Sequence, residues 1–275
     1  MAFITTKDGT RLYCKDWGRG RPVILMHGWP LSSDSFDDLS QALADAGMRA
    51  IAYDRRGFGR SDQPSEGYDY DTFADDLAAV VEQTQAHGAA LVGFSMGGGE
   101  VARYMSRHGG KGVTQAVLIS SVVPYMLKTA DNPHGVDSAM FDQMTQGMKE
   151  DRAKFFAAFF KDFYGVSLVS HAVSSEVIDW SRQMTMQAGL RPTLAAAKAF
   201  ASTDFRGDLE AFKVPTLIVH GTSDKTVPID ATGRAAAKGI RGATLIEYDG
   251  APHGVFASHK ARLTSDVLSF LAAGG

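Results

Sequence analysis

A single cysteine, Cys14, stands in 275 residues, so no internal disulfide can form. The chain must be held by its own core, and at this length folding hides roughly 70–75% of the unfolded surface. Charge of one sign is also missing: 28 Lys and Arg against 31 Asp and Glu leave −3. That excludes the dense basic face on which nucleic-acid binders rely. Long apolar runs are absent. The greasiest short segment, Phe155 to Phe160, lies between Lys154 and Lys161 and falls far short of the roughly 20 residues a bilayer crossing needs. The opening Met-Ala-Phe-Ile-Thr-Thr-Lys-Asp-Gly has no signal-peptide core of roughly 7–15 apolar residues. A cytoplasmic protein with no membrane or nucleic-acid partner is therefore expected. No H-E-x-x-H, Cys/His cluster or acidic EF-hand loop occurs, so no metal is expected. Gly57-Phe58-Gly59 is the nearest approach to a dinucleotide fingerprint and lacks the third glycine. No cofactor is expected either.

What is present is alternation. Short apolar or β-branched runs recur at Ile4–Thr6, Leu12–Lys15, Val23–Met26, Ala50–Tyr53, Ala90–Phe94, Ala116–Ser120, Pro215–His220 and Thr244–Tyr248. The later ones are continuous, as strands buried on both faces should be. Amphipathic stretches lie between them: Phe73, Leu77, Val80, Val81 and Thr84 share one helical face, and Leu263, Val267, Phe270 and Leu271 another. This pattern predicts an α/β fold, with a mostly parallel eight-stranded sheet and helices on both faces. The Lys7-Asp8-Gly9 turn predicts an antiparallel hairpin at one edge. The alternation breaks once. Residues 122–205 show only helical patterns, at Glu150–Tyr164, Ser175–Ala188 and Thr193–Thr203. The expected organisation is a core of 1–121 and 206–275 with a helical lid inserted over the strand ends.

Gly93-Phe94-Ser95-Met96-Gly97 reads G-x-S-x-G. With 29 glycines, chance supplies about 0.2 such matches, so context has to carry the motif. Here a strand precedes it and a helix follows. A serine on so sharp a turn is held in a strained backbone conformation, its hydroxyl raised above the sheet, and the flanking glycines give the turn room. The helix N-terminus behind it favours developing negative charge.

A hydroxyl needs an adjacent base to act as a nucleophile. Asp224 follows the Pro215–His220 strand and His253 follows the Thr244–Tyr248 strand, so both belong at the same sheet edge as Ser95. The chain order Ser95, Asp224, His253 is that of α/β-hydrolase triads. In these roles His253 takes the serine proton, and Asp224 fixes the imidazole tautomer and stabilises its cation. The other seven histidines fit less well. His87 and His108 end helices, His134 and His171 lie in the insertion, and His259 falls inside the last helix. His220 closes a buried strand and reads as a satisfied core histidine; His27 reads as a hydrogen-bonding residue that holds its loop. Asp204, Asp208 and Asp249 lack a clean strand-end loop. Two backbone N–H groups should form the oxyanion pocket: that of Met96, after the nucleophile, and that of Trp29 in the loop His27-Gly28-Trp29-Pro30. Pro30 has no N–H to offer. The charged run Asp54 to Asp62 reads as a hydrogen-bonded loop beside the site.

Together these residues resemble the α/β-hydrolase superfamily along essentially the whole chain. His27-Gly28-Trp29-Pro30, the run from Gly93 to Tyr104, and Ala251-Pro252-His253-Gly254 resemble cofactor-free haloperoxidases and their arylesterase/perhydrolase relatives. Asp151 to Phe155 and Phe163-Tyr164-Gly165 look like that group too. The resemblance implies hydrolysis of small carboxylic esters through an acyl-serine, with hydrogen peroxide able to replace water and give a peracid that oxidises halide. It implies an apolar pocket lined by Trp29, Pro30, Val122, Phe159, Phe163 and Val227, with Pro30 the residue type of haloperoxidase-like members. Met126 and Met144 depart from the phenylalanines of relatives. Members of this group are often homo-oligomers, and the resemblance carries that expectation. A lactonase, lactamase or carbon–carbon bond hydrolase would keep the same triad, and a small-molecule receptor on this fold would keep it without turnover. Haloalkane dehalogenases and epoxide hydrolases place aspartate where Ser95 stands.

Overall fold

The computed structural model describes residues 3–167, 170 and 172–273. In chain order it contains β1 (Phe3–Thr5), β2 (Arg11–Gly18), β3 (Pro22–Met26), α1 (Asp37–Asp45), β4 (Arg49–Tyr53), α2 (Tyr70–Gln83), β5 (Ala89–Phe94), α3 (Met96–Arg107) and β6 (Val113–Ile119). The helices α4 (Ser138–Phe163), α5 (Ser175–Met186) and α6 (Leu190–Ser202) follow. The series resumes with β7 (Thr216–Gly221), α7 (Gly233–Gly239), β8 (Thr244–Tyr248), α8 (Val255–Ser258) and α9 (Lys260–Ala272). All eight apolar runs are thus strands, and they join one sheet of order β1-β2-β4-β3-β5-β6-β7-β8.

The expected edge hairpin pairs Ile4 with Leu12 antiparallel. The antiparallel part extends one strand further, since β2 also runs against β4; every later pair is parallel. β3, β5 and β7 are buried at every residue, as their unbroken apolar runs require. β8 corrects that expectation. Thr244 is exposed and Leu245, Ile246 and Glu247 are only half-buried, because β8 is the last strand of the sheet and an edge strand has an open flank.

The helical faces fold as their periods indicate. Asp69 caps α2, its carboxylate accepting from Thr72 N at 2.9 Å, and Phe73, Leu77 and Val80 are buried against the sheet. α9 buries Leu263, Val267 and Leu271. His259 precedes α9 as its cap residue rather than lying inside it. Among the described residues of the insertion, extended pairing is limited to the bridges Leu127–Val136 and Thr129–Asn132. The first inserted helix begins twelve residues earlier than the sequence pattern suggests, at Ser138, and breaks at Asp151 (φ −154°, ψ 89°). There the Asp151 carboxylate accepts from Lys154 N at 2.9 Å and restarts the helix. The early half is hard to see in sequence because only Met148 on it is buried.

Cys14 lies in β2 at 3% exposure. Burial, and then the Asp16 charge, push its thiol up to about 12. A thiol reagent at pH 8 is expected to leave Cys14 untouched in the native protein and to count one thiol in denaturant. Rapid labelling of the native protein would contradict this packing.

β3 lies between β4 and β5, so the chain leaves β3 on one side and returns on the other. A crevice opens outside the carboxyl ends of β3 and β5, the position where open α/β sheets place their sites.

Candidate active site

Ser95 joins β5 to α3 with φ 53° and ψ −118°, a conformation that costs a non-glycine residue about 1–3 kcal/mol. Its N–H donates to Ile119 O at 2.8 Å, and its carbonyl accepts from Gly98 N at 3.0 Å and Val122 N at 3.3 Å. The flanking glycines are steric necessities. A Cβ on Gly97 would lie 2.1 Å from Met26 O, and one on Gly93 would lie 2.5 Å from Gly97 O. A side chain at 97 would push α3 off the end of β3, and one at 93 would push α3 away from β5.

Across the crevice, His253 Nε2 lies 3.0 Å from Ser95 Oγ, and His253 Nδ1 lies 2.6 Å from Asp224 Oδ2. A carboxylate can only accept. The Nδ1–H therefore donates to Asp224, and Nε2 is left to accept from the serine hydroxyl. Asp224 Oδ1 accepts from Thr226 N at 2.9 Å and Val227 N at 2.8 Å. Burial alone would raise the Asp224 carboxyl; the His253 charge and hydrogen bonds from His220 and His253 outweigh it and hold the group well below the usual carboxylate range. The imidazole of His253 is fully buried, with the Phe163 ring edge-on at 4.8 Å and Phe94 tilted at 5.1 Å.

The loop after β3 reaches the same point. A Cβ on Gly28 would lie 3.0 Å from Ser95 Cβ, so Trp29 follows immediately beside Ser95. Met96 is the first residue of α3, where a helix N–H has no intrahelical acceptor. The loop is locked from below. Burial, and then the Arg55 charge, push the His27 imidazole down to about 3, so it is neutral: Nε2 accepts from Arg55 N at 3.0 Å and Nδ1 faces Gly28 O at 2.9 Å. Arg55 also donates to His27 O and pairs with the buried Glu100 of α3. Burial pushes the Glu100 carboxyl up, against the opposing Arg55 charge. This pair ties the β3 loop to α3. Arg55→Met, which strands Glu100 in the core, is expected to cost about 3–5 kcal/mol in chemical denaturation; a loss below about 1 kcal/mol would show the pair to be poorly buried.

A cavity of about 630 Å³ opens above Ser95. Of the six residues expected to line it, Trp29, Val122, Phe159 and Val227 do so. Pro30 and Phe163 do not. Pro30 is buried in the turn closed by Leu31 N to Gly28 O. Phe163 is turned onto His253 and Phe256, making it a support for that imidazole rather than a wall. Met144 lines the cavity, whereas Met126 is buried outside it. Sequence reasoning missed Phe141 and Phe200, and also the rim charges Glu150, Asp151, Lys154, Asp162 and Lys225. The indole of Trp29 donates to Thr193 O of α6 at 2.9 Å and packs on Phe159 and Phe200, joining the sheet edge to the insertion.

The competing residues lie elsewhere. His87 is exposed, and His108 sits 2.8 Å from Asp75; His171 is outside the described residues. Asp204 pairs with Arg206, Asp208 binds Arg103 and Ser106, and Asp249 faces Thr222. Groups of three or more His, Cys, Asp or Glu able to hold a metal are absent among the described residues. Also among them, no helix is long and apolar enough to cross a membrane.

A serine at a strained strand-to-helix turn, reached by a strand-end histidine and carboxylate later in the chain, is the arrangement of the α/β-hydrolases. Residues 21–260 match the alpha/beta hydrolase fold family, and the chain belongs to it. It is 42% identical to a non-heme chloroperoxidase of Kitasatospora aureofaciens, over 98% of this chain and 99% of that one. It is equally 42% identical to a bifunctional esterase/perhydrolase of Acinetobacter calcoaceticus, over the same shares. Among solved structures, a bromoperoxidase from Bacillus anthracis superposes with a TM-score of 0.95 at 41% identity, covering 98% of this chain and 99% of that one.

Proposed function

We propose that the protein is a serine hydrolase of small carboxylic esters that also carries out perhydrolysis. The observation that carries this reading is the continuous relay from Ser95 Oγ through His253 to Asp224, at 3.0 and 2.6 Å, on the floor of an apolar cavity. In this reading Ser95 Oγ attacks the ester carbonyl as His253 Nε2 takes its proton. The N–H groups of Trp29 and Met96 receive the oxyanion. His253 then protonates the departing alkoxide, leaving an acyl-Ser95. Water, deprotonated by His253, releases a carboxylic acid; hydrogen peroxide in its place releases a peracid. Peracid transfers its terminal OH oxygen, with its proton, to bromide, giving hypobromous acid and the carboxylate, without metal or haem. Residues 122–205 act as the lid, tied to the sheet edge through the Trp29 indole bonded to Thr193 O. The similarity to a chloroperoxidase and an esterase/perhydrolase supports both branches.

A panel of short-chain aryl and alkyl esters and lactones, run with and without peroxide and bromide, tests this. Steady ester turnover, with peroxide-dependent peracid formation and bromination, is expected. Pro30→Leu should lower the ratio of perhydrolysis to hydrolysis, acting through the backbone beside Trp29. Turnover of lactones alone would overturn the ester assignment, and one stoichiometric acyl burst would identify a receptor.

A further inference from the structure

The Asp224 carboxylate has a second imidazole beside it. His220, the penultimate residue of β7, is fully buried, and its Nε2 lies 2.9 Å from Val227 O and 3.3 Å from Asp224 Oδ2. Both neighbours are pure acceptors, so Nε2 carries the proton and shares it between them. The other nitrogen is unlike that of a satisfied core histidine. Nδ1 is buried, has no hydrogen-bond partner among the described residues, and faces Gly233, where a Cβ would lie only 2.8 Å away. A buried polar atom without a partner carries a cost that an apolar residue would avoid. An apolar side chain at 220 would remove that cost and lose only the proton aimed at Val227 O and Asp224.

We propose that His220 is a positioning residue that holds the catalytic carboxylate between two imidazoles. The inference rests on the triad reading, because His220 acts through Asp224. The geometry gives it two tasks. By donating to Val227 O, it fixes the loop whose own Val227 N–H binds Asp224 Oδ1 at 2.8 Å. By donating to Oδ2, it steers the same oxygen that faces His253 Nδ1 at 2.6 Å. His220 does not line the cavity over Ser95, so its loss should be felt in kcat and not in substrate binding.

Two substitutions separate the N–H from the bulk of the ring. His220→Gln can reach the Nε2 position with an amide N–H, whereas His220→Asn stops near Nδ1. The asparagine variant is expected to lose at least about tenfold in kcat with KM little changed, the size of one hydrogen bond to a charged group felt in the transition state. The glutamine variant should stay within about threefold of the parent. The low-field proton resonance of the His253–Asp224 bond should move in the first variant and return in the second. Gly233→Ala provides a second approach if the asparagine variant does not fold: it touches no triad atom, yet its Cβ displaces the His220 ring, so kcat should fall and that resonance should move. A folded asparagine variant with parental kcat, a glutamine variant as impaired as asparagine, or a Gly233→Ala protein with unchanged kcat and resonance would each overturn the proposal. Asp224→Asn is measured alongside. If it stays active, the triad reading fails; if it is inactive while His220→Asn is fully active, only the role of His220 fails.

Discussion

Replacement of Ser95 by alanine is expected to lower kcat toward a small aryl ester by roughly 10⁴–10⁶-fold, with KM little changed. The reason is specific to this elbow. In the triad reading, the φ of 53° at residue 95 raises a hydroxyl to within 3.0 Å of His253 Nε2, and alanine keeps the turn while removing that atom. The fold should survive, because the bonds that hold the elbow come from the backbone of residue 95. Activity within about tenfold of the parent, in a folded protein, would remove Ser95 from the chemistry.

Asp224→Asn is expected to cost about 10⁴-fold in kcat by fixing the wrong tautomer. Two backbone N–H groups, from Thr226 and Val227, point at Oδ1. An asparagine must turn its carbonyl toward them and its NH₂ toward His253. Facing a donor, His253 Nδ1 has to accept, the proton moves to Nε2, and Ser95 loses its base. The acid limb of the parental pH profile follows from the same site. A depressed carboxyl keeps its charge at and above its ordinary titration range, near 3.9, and loses it only as pH falls further. Asp224 is depressed in this way, so it should stay charged throughout the acid limb and add no proton to it. A limb of slope two in kcat/KM would mean that Asp224 titrates alongside the base.

The three candidate residues were legible because each sits where a recognisable strand stops: Ser95 between two glycines, Asp224 in Gly-Thr-Ser-Asp, His253 after Ala-Pro. Strand runs and helix periods carry that information locally. The cavity wall was less legible. Phe163 reads as a lid aromatic, and its contact with His253, 90 residues later in the chain, leaves no mark in the local sequence. Phe141 and Met144 sit on the half of α4 before the Asp151 break, where the exposure of Met140 at 52% blurs the helical period. The Arg55–Glu100 pair was beyond local reading because its halves are 45 residues apart. Arg55 appeared only as part of a charged loop, and nothing around Glu100 in the sequence marks it as buried. His220 was placed correctly in the core, but its nearness to Asp224 depends on how the loop after β7 folds back.

The most direct test is to label the native enzyme with an aryl fluorophosphonate and map the adduct by peptide mass spectrometry. One phosphonate per chain, on Ser95 alone, with turnover lost in proportion and labelling suppressed in a folded His253→Ala variant, is the expected result. Stoichiometric inactivation with the adduct on another residue, or full turnover with Ser95 modified, would contradict the account.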